Sequence, residues 1–400
     1  MIEWAEYTID QLMDVQNGYA FKSGEYVEEG QNTFEVLKMG HIEKGGGLRK
    51  SPKKDFVPKT ENLKRWVLNK DDIVMAMTDM KDNVVILGVP AMIDRSNHYV
   101  LNQRVARLTI KNRELADIGY IYNYLKWEEF LFGLQSKASS GVQVNLSTSA
   151  IKESIVKAPQ LAEQKSIAAV LSSLDDKIDL LHRQNQTLEA MAATLFRQWF
   201  VEEAGEDWEK RPLSSIANFL NGLACQKYLP KNNLEKLPVL KIRELSGGIS
   251  ESSDWATSEV KPEYVVEAGD VIFAWSASLM VKVWDGERCV LNQHLFKVTS
   301  DEFQKWFYLM WCKHHLAEFI SISASHATTM GHIKRGDLDA AMVSVPSPDE
   351  LKAMSEQMTP LLDKQIAISK HRKTLEALRD SLLPKLMSGE VRVALDRAAA

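Results

Sequence analysis

Basic side chains are concentrated in one loop-rich stretch of a chain that is slightly acidic as a whole. Between positions 38 and 70 the sequence carries ten basic and three acidic residues, a local charge of +7, whereas all 400 residues together carry −5. Clustered Lys and Arg suit contacts with phosphate groups, which hold a protein on DNA without reading its sequence. A solvated lysine face without a ligand is the alternative for this stretch.

Each half of the chain contains one polar stretch, at 139–145 in the first half and at 326–335 in the second, and the two lie at matching places. In the major groove Arg and Lys pair with guanine, and Asn and Gln pair with adenine. These loops are therefore candidates for reaching base edges. The candidate DNA-binding residues, taken from both kinds of stretch, are Lys38, His41, Lys44, Arg49, Lys50, Gln143, Asn145, Lys241, Arg243, His326, Thr328, Thr329, Lys334 and Arg335.

Sequence motifs for catalysis or metal binding do not explain these residues. The chain contains no GxxxxGK[ST], GxGxxG, HExxH or GxSxG motif. Cys225, Cys289 and Cys312 share no metal-ligand spacing, and the pair His314–His315 has no cysteine nearby. We therefore expect no catalytic residue, no metal and no cofactor in this chain, and a reducing compartment.

Six short stretches of the first half recur in the same order in the second half. The pairs are NGYAFK (17–22) with NGLACQ (221–226), EVLKM (35–39) with PVLKI (238–242), DDIVMA (71–76) with GDVIFA (269–274), LNQRVARL (101–108) with LNQHLFKV (291–298), IKESIVKAP (151–159) with LDAAMVSVP (338–346), and TLEAM (187–191) with TLEAL (374–378). The order indicates two copies of one unit. Because Asn102–Gln103 and Asn292–Gln293 recur unchanged, a structural or phosphate-binding role is favoured over base reading.

Each copy is predicted to be a mixed globular module followed by a long helix, an α+β pattern. The predicted strands are Phe34–Met39, Ile73–Met77, Val105–Ile110, Val239–Ile242, Val271–Trp275 and Leu295–Val298. The predicted late helices are Asp117–Phe132 and Glu302–Ile320.

The long helices give the strongest periodic signal. Apolar positions repeat with steps of four and three from Ile167 to Trp199, a heptad seam with the polar Asn185 in its middle. The second seam, from 347 onwards, is poorer, and Pro360 is expected to kink or restart that helix. Each helix needs a partner, and the simplest partner is the other copy, although two independent amphipathic core helices remain possible. Arg197, Trp199 and Phe200 at the end of the first helix fit either a core or an interface.

The overall composition is that of ordinary globular domains. The chain is 45% hydrophobic and 26% charged, and its length suits two or three domains. Its mild net charge excludes a histone-like polycation. The opening residues MIEWAEYTID lack the features of a signal peptide, and no stretch approaches the roughly 20 apolar residues of a membrane span. We expect a cytoplasmic protein without a membrane association.

The whole chain resembles the specificity (S, HsdS) subunits of type I restriction–modification enzymes. The stretches that carry the resemblance are AEQKSIAAVLSSLDDKIDLLHRQNQTLEAMAATLFRQWF (162–200) and KTLEALRDSLLPKLMSGEVRV (373–393), with NGYAFKSGEY (17–26) and the two LNQ blocks in support. The resemblance implies an N-terminal target recognition domain (1–155), a central conserved helix (156–205), a C-terminal target recognition domain (206–346), a distal conserved helix (347–393) and a tail (394–400). It also implies that the two helices pack as an antiparallel coiled coil.

The function implied by the resemblance is the reading of a bipartite, asymmetric DNA site, with one half-site for each domain. Two modification subunits would bring S-adenosylmethionine and methylate adenine N6, and restriction subunits could add ATP- and Mg-dependent cleavage. The chain itself would be non-catalytic. A helix from Ile167 to Trp199 spans about 48 Å, or roughly 14 base pairs, so helix length is expected to set the spacer between half-sites. The alternatives are a coiled-coil adaptor without DNA contact and a self-contained methyltransferase or nuclease with degenerate motifs.

Overall fold

The computed structural model describes residues 4–80, 84–139, 143–325 and 331–393. Within these residues the chain forms two compact units. The first unit comprises the residues up to Asp176 together with those from Ala377 onwards, and the second unit is Lys177–Glu376. Each unit contains one globular part and a piece of each of two long helices.

The first unit is built on two small sheets. A four-stranded antiparallel sheet has the order Met13–Asn17, Val105–Ile110, Ile73–Ala76, Pro90–Met92. A three-stranded sheet has the order Phe56–Pro58, Thr33–Leu37, Tyr99–Leu101, and its last two strands are parallel. Two further pairs join Ala5–Thr8 to Ile155–Ala158 and Thr78–Met80 to Gln143–Asn145. The α-helices are Ile9–Leu12, Ile118–Lys126, Glu128–Gln135 and Thr148–Lys152, and the 3-10 helices are Ser23–Glu25, Met39–His41 and Glu61–Trp66.

The second unit repeats this plan. Its antiparallel sheet has the order Asn218–Asn221, Leu295–Thr299, Val271–Ala274, Met280–Val283. Its other sheet has the order Trp255–Thr257, Lys236–Leu240, Cys289–Leu291, Val265–Val266, and again its second and third strands are parallel. Glu209–Pro212 pairs with Met342–Val345. The α-helices are Leu213–Ile216, Ile242–Gly247, Lys305–His314, Leu316–Ser325 and Arg335–Ala340, the 3-10 helices are Cys225–Lys227 and Pro262–Tyr264, and Gln198–Glu202 is a π-helical turn.

The predicted α+β repeat is confirmed, and strands form in all six places where the sequence predicts them. The two late helices differ from the expectation because each is split in two. In the first unit the break falls at Trp127, which has extended backbone angles (φ −63°, ψ 128°). Its half-buried ring packs edge-on against Tyr124 with ring centroids 5.5 Å apart, so the break places an aromatic side chain against the core.

In each unit the two sheets are joined at a junction formed around the LNQ block (101–103 and 291–293). In the first unit Tyr19 bridges to Asn102, and in the second Leu223 bridges to Asn292. The N–H of Asn102 donates to the Leu37 carbonyl O at 3.1 Å, as the N–H of Asn292 does to the Leu240 carbonyl O at 3.1 Å. The recurring LNQ block is therefore a structural link between sheets, one of the two roles that its recurrence favoured.

The first long helix (Leu161–Arg197) confirms the predicted heptad seam. Every predicted seam position from Ile167 to Trp199 is buried or half-buried, and most of the intervening positions are exposed. The polar seam residue Asn185 donates from Nδ2 to Ser369 Oγ at 2.8 Å. A polar pair of this kind within an apolar seam fixes the register of paired helices.

The second long helix (Pro348–Ser388) pairs antiparallel with the first inside each unit. In the first unit, Asp175 Oδ1 lies 3.0 Å from Arg379 Nη1, and Glu163 near the start of the first helix meets Arg392, four residues beyond the end of the second. Polar seam positions that look poor in the sequence are thus satisfied by ion pairs. In the second unit the Asn185–Ser369 hydrogen bond joins the two helices, and Arg372 of the second helix lies with Nη2 3.2 Å from Oδ2 of Asp285 in the globular part.

The expectation that the second long helix restarts at Pro360 is wrong. The helix runs without interruption through Pro360 and also through Pro384. Both prolines are exposed, so water can hydrate the carbonyl that loses its N–H partner. Met358 and Leu362, on either side of Pro360, are buried and hold the helix against the core of the second unit.

No helix among the described residues is both long and apolar enough to cross a membrane.

Candidate nucleic-acid interface

Three of the predicted contact residues, Lys44, Arg49 and Lys50, are exposed on a glycine turn of the first unit. The three glycines at 45–47 have φ of 86°, 106° and 92°, a region that residues with a Cβ rarely occupy. Arg49 Nε lies 3.6 Å from Glu43 Oε2 in an exposed, weak pair. Within the described residues, the ammonium groups of Lys44 and Lys50 have no ion-pair partner. This turn therefore offers cationic groups to a ligand.

Lys38 supports this region from its base. Its Nζ lies 2.8 Å from Asp55 Oδ2 and 4.3 Å from the ring centroid of Tyr26. Burial acts to lower the pKa of Lys38, but the hydrogen bonds and charges of Asp55 and Tyr26 together outweigh it, so the pKa is raised and the ammonium stays charged. Because this charge is already paired, Lys38 is better suited to positioning the loop than to binding a phosphate strongly.

A buried carboxylate links the strand Thr33–Leu37 to the basic stretch. Glu35 is only 2% exposed, and its oxygens lie 3.0 Å from His41 Nε2, 3.1 Å from His98 Nε2 and 3.5 Å from Lys54 Nζ. Burial acts to raise the pKa of Glu35, but hydrogen bonds from both histidines and the charge of Lys54 lower it overall. The carboxylate thus remains ionised and holds these groups in place.

The predicted contact between His41 and DNA is corrected by the structure. The side chain is 2% exposed. The Lys38 N–H donates to Nδ1 at 3.2 Å, so the ring proton resides on Nε2 and is donated to Glu35. With both ring nitrogens engaged in the interior, His41 positions the loop and has no nitrogen left for a base or phosphate.

We expect acid to destabilise the first unit partly through His41. Burial lowers the pKa of His41 despite the opposing effect of Glu35, so the folded protein keeps the ring neutral. The unfolded chain takes up a proton near pH 6.5, and stability is therefore lost as the pH falls through the window below that value, by about 1.4 kcal/mol per pKa unit of depression. Urea unfolding at pH 7.5, 6.5 and 5.5 measures this loss.

The variant His41→Gln should lose less stability than wild type between pH 7.5 and 5.5. His314 is the control, because burial also lowers its pKa but it belongs to the second unit. His314→Gln should leave the acid response of the first unit unchanged. An equal acid response in wild type and His41→Gln would contradict the assignment.

Gln143 and Asn145 lie on a short strand of the first unit. This strand pairs antiparallel with Thr78–Met80, so that Asn145 faces Thr78 in register. Thr78 Oγ1 donates to Asn145 Oδ1 at 2.9 Å, and Asn145 Nδ2 donates to the Gln143 carbonyl O at 3.3 Å. Asn145 is exposed, so the structure fixes its amide at a surface position.

Lys241 repeats the arrangement of Lys38 in the second unit. Lys241 Nζ is bonded to Asp254, as Lys38 is to Asp55, and each lysine caps the helix that follows its strand. The hydrogen bond from Lys241 lowers the pKa of Asp254. The pair is a structural device of the repeat and leaves Lys241 with a reduced role in binding.

Arg243 is likewise bonded within the protein. Its Nη2 lies 2.6 Å from Oε1 of the buried Glu244 and donates to the Ser252 carbonyl O at 2.8 Å. Lys334 and Arg335, at the start of the helix Arg335–Ala340, are both exposed. The remaining candidates His326, Thr328 and Thr329 lie outside the described residues.

The acidic partners of these basic side chains were not predicted from the sequence. Asp55, Asp254 and Glu244 neutralise three of the predicted contact residues, and Glu35 anchors a fourth. The repeat contained a signal, because an aspartate lies 17 residues after Lys38 and another lies 13 residues after the aligned Lys241. Among the described residues, no group of three or more His, Cys, Asp or Glu side chains is arranged to hold a metal ion.

The two α+β units have equivalent antiparallel sheets and equivalent junctions, and each carries exposed basic or polar side chains. The family model for the type I restriction modification DNA specificity domain matches residues 1–190 and again residues 205–377. The chain belongs to this family.

Known relatives agree with this assignment. The MjaIX specificity subunit of a type I restriction enzyme from Methanocaldococcus jannaschii is 26% identical over 300 residues, covering 68% of this chain and 69% of the relative. The MjaVIII specificity subunit from the same organism is 24% identical over 367 residues, covering 82% and 81%. A crystal structure of a type I restriction-modification S subunit from M. genitalium has the same fold, with a TM-score of 0.62 at 16% identity over 96% of both chains.

Proposed function

We propose that this chain gives a type I restriction–modification enzyme its DNA sequence specificity, each unit reading one half of a bipartite site. The observation that carries the proposal is that the specificity domain occurs twice, once for each of two units whose four-stranded antiparallel sheets and junctions are equivalent. Two readers on one chain suit an asymmetric target, because their surface loops differ while their frameworks agree.

The chemistry of such an enzyme would be carried by other subunits. We propose that modification subunits dock on the paired helices, bring S-adenosylmethionine and methylate adenine, and that restriction subunits add ATP- and Mg-dependent steps. The specificity chain then contributes binding and positioning alone. The match of the chain to the DNA specificity domain of such systems supports this division of labour.

A methylation assay tests the proposal directly. The purified chain, labelled S-adenosylmethionine and duplex DNA should give no transfer alone, and transfer at a bipartite motif after the modification subunits of the same system are added. Turnover by the chain alone would favour a self-contained methyltransferase. Failure of the chain to bind duplex DNA under any salt condition would favour a coiled-coil adaptor.

We expect the basic turn to contribute to the salt dependence of DNA binding. Replacing Lys44, Arg49 and Lys50 together by alanine removes three cations from an exposed loop. For every phosphate that the loop no longer neutralises, the slope of log affinity against log salt should fall by about 0.9, so a reduction of up to about 2.7 is expected. Gel shifts at several salt concentrations between about 50 and 200 mM measure the slope.

The control removes the same charge elsewhere in the first unit. Lys111, Lys152 and Lys157 bind within the protein, to the Asp10 carbonyl O, to the Asp10 carboxylate and to Glu6. Replacing these three by alanine should leave the slope close to that of wild type. If both triple variants reduce the slope equally, the effect belongs to net charge and the turn is not a contact site.

A further inference from the structure

Three segments meet in the first unit at the end of the strand Ile73–Ala76. The N–H of Met77 donates to the Arg104 carbonyl O at 3.0 Å, and the N–H of Leu146 donates to the Met77 carbonyl O at 2.8 Å. Thr78 and Asn145 are paired in register next to these bonds. Backbone bonds thus gather residues 78, 104 and 145 around one position.

The second unit builds the same backbone arrangement. The N–H of Trp275 donates to the His294 carbonyl O at 3.4 Å, and the N–H of Ile333 donates to the Trp275 carbonyl O at 3.0 Å. Ser276 bridges to His332 in the antiparallel sense, as Thr78 pairs with Asn145. Residues 276, 294 and 332 therefore correspond to residues 78, 104 and 145.

The junction fixes residues 104 and 294 tightly. In the first unit the N–H of Gln103 donates to the Tyr19 carbonyl O at 2.9 Å, and the N–H of Val105 donates to the Asn102 carbonyl O at 2.9 Å. The second unit has the matching bonds from Gln293 and Leu295, at 2.8 and 2.9 Å. The residue after each LNQ block is therefore held from both sides by backbone bonds common to the two units.

The side chains on this common framework differ in chemistry. Arg104 is exposed, and within the described residues its guanidinium forms no hydrogen bond or ion pair. His294 is half-buried, and its Nδ1 lies 3.1 Å from Ser276 Oγ. A planar fork of donors matches guanine, and an amide matches adenine. A framework that stays constant while its surface side chains change is suited to reading a different sequence in each unit.

We infer that Arg104 and Asn145 contact bases in the first unit, and that His294 holds the reading position of Arg104 in the second. The inference rests on the proposed function and assigns residues to it. It adds Arg104 and His294 to the polar loops that the sequence singled out. It also separates them from Asn102–Gln103, whose backbone belongs to the shared junction.

Motif mapping tests the assignment in the assembled enzyme. The chain is co-produced with its modification subunits in a methylation-free host, and methylated adenines are mapped by sequencing a plasmid library of random sites. Wild type should give a bipartite motif. Arg104→Ala should reduce the preference for the correct base over the other bases by about 10- to 100-fold, at one position of one half-site only. Asn145→Ala should relax a position in that same half, and His294→Ala a position in the other half.

Arg113→Ala is the matched control. Arg113 is an exposed arginine of the same unit, just beyond the opposite end of the strand that starts after Arg104, so its motif should match wild type. Arg104→His, which installs the residue of the second unit, should alter the same base position as Arg104→Ala.

The outcomes separate the inference from the proposed function. If wild type gives no bipartite motif, the proposed function fails and the inference falls with it. If wild type gives the motif and Arg104→Ala preserves every base, the inference alone is overturned. A uniform loss of methylation without relaxation would show that Arg104 contacts phosphate, which also overturns base reading. Relaxation by Arg113→Ala equal to that by Arg104→Ala would do the same.

Discussion

Replacing Gly18 by alanine is expected to destabilise the first unit by about 3 kcal/mol or more, because it forces apart the junction between two sheets. A Cβ built on Gly18 would lie 2.6 Å from the Leu101 carbonyl O and closer still to the carbonyl group of Asn102. Neither carbonyl can move away, because the strand Tyr99–Leu101 is paired with Thr33–Leu37. Urea unfolding of the full chain, followed by circular dichroism, measures the loss.

Gly24→Ala provides the control for this prediction. Nothing lies within 4 Å of a Cβ at Gly24, so the substitution should be neutral or slightly stabilising. The repeat supplies an independent test, since a Cβ on Gly222 would lie 2.6 Å from the Leu291 carbonyl O. Gly222→Ala should therefore destabilise the second unit to a similar extent. Wild-type stability in both junction variants would show that the strands separate easily.

The second large effect is expected where the first long helix enters the core of the second unit. Phe200 lies in the π-helical turn Gln198–Glu202 and is 6% exposed. Its ring lies between 4.8 and 6.4 Å, by ring centroids, from those of five aromatic residues, Phe196, Trp208, Trp306, Phe307 and Trp311. Removing a buried aromatic ring leaves a cavity, so Phe200→Ala should cost about 3–5 kcal/mol.

Val201→Ala is a control on the same turn. Val201 is 54% exposed, and its substitution should change stability by no more than about 0.5 kcal/mol. Tryptophan fluorescence follows the second unit well, because three of the rings around Phe200 are tryptophans. Equal stability of the two variants would mean that the aromatic cluster is not part of the cooperative core. Of the two roles open to Phe200 in the sequence, the structure supports the core.

The repeat was predictable because it rests on local patterns. The paired LNQ and NG blocks, the β-rich runs and the heptad seam are each encoded by neighbouring residues, and apolar periodicity at 3.5 residues dictates a helix that needs a partner. The exposed turn around Lys44 was also predictable, since three consecutive glycines among basic residues favour a loop. These features depend little on which distant segment packs against them.

The candidate site was less predictable because charge and exposure depend on tertiary partners. His41 looks like a surface histidine in the sequence. In the structure it is buried, and Glu35 on the preceding strand accepts a hydrogen bond from its Nε2–H. In the sequence Arg243 and Lys241 look like unpaired cationic side chains. Folding brings Glu244 against Arg243 and Asp254 against Lys241. Pro360 predicts a break in the second long helix, but the helix continues through this residue because its exposed position lets water hydrate the carbonyl that lacks an N–H partner.

The amino-acid sequence alone determined the duplicated α+β architecture, the two long helices and the general location of the basic and polar loops. Tertiary structure alone decided which of those polar side chains are available to a ligand. The reason is physical: strand and helix periodicity are properties of consecutive residues, whereas the neutralisation of a charge requires an opposite charge within about 4 Å. In this chain those opposite charges lie on other strands and loops, and only folding brings them together.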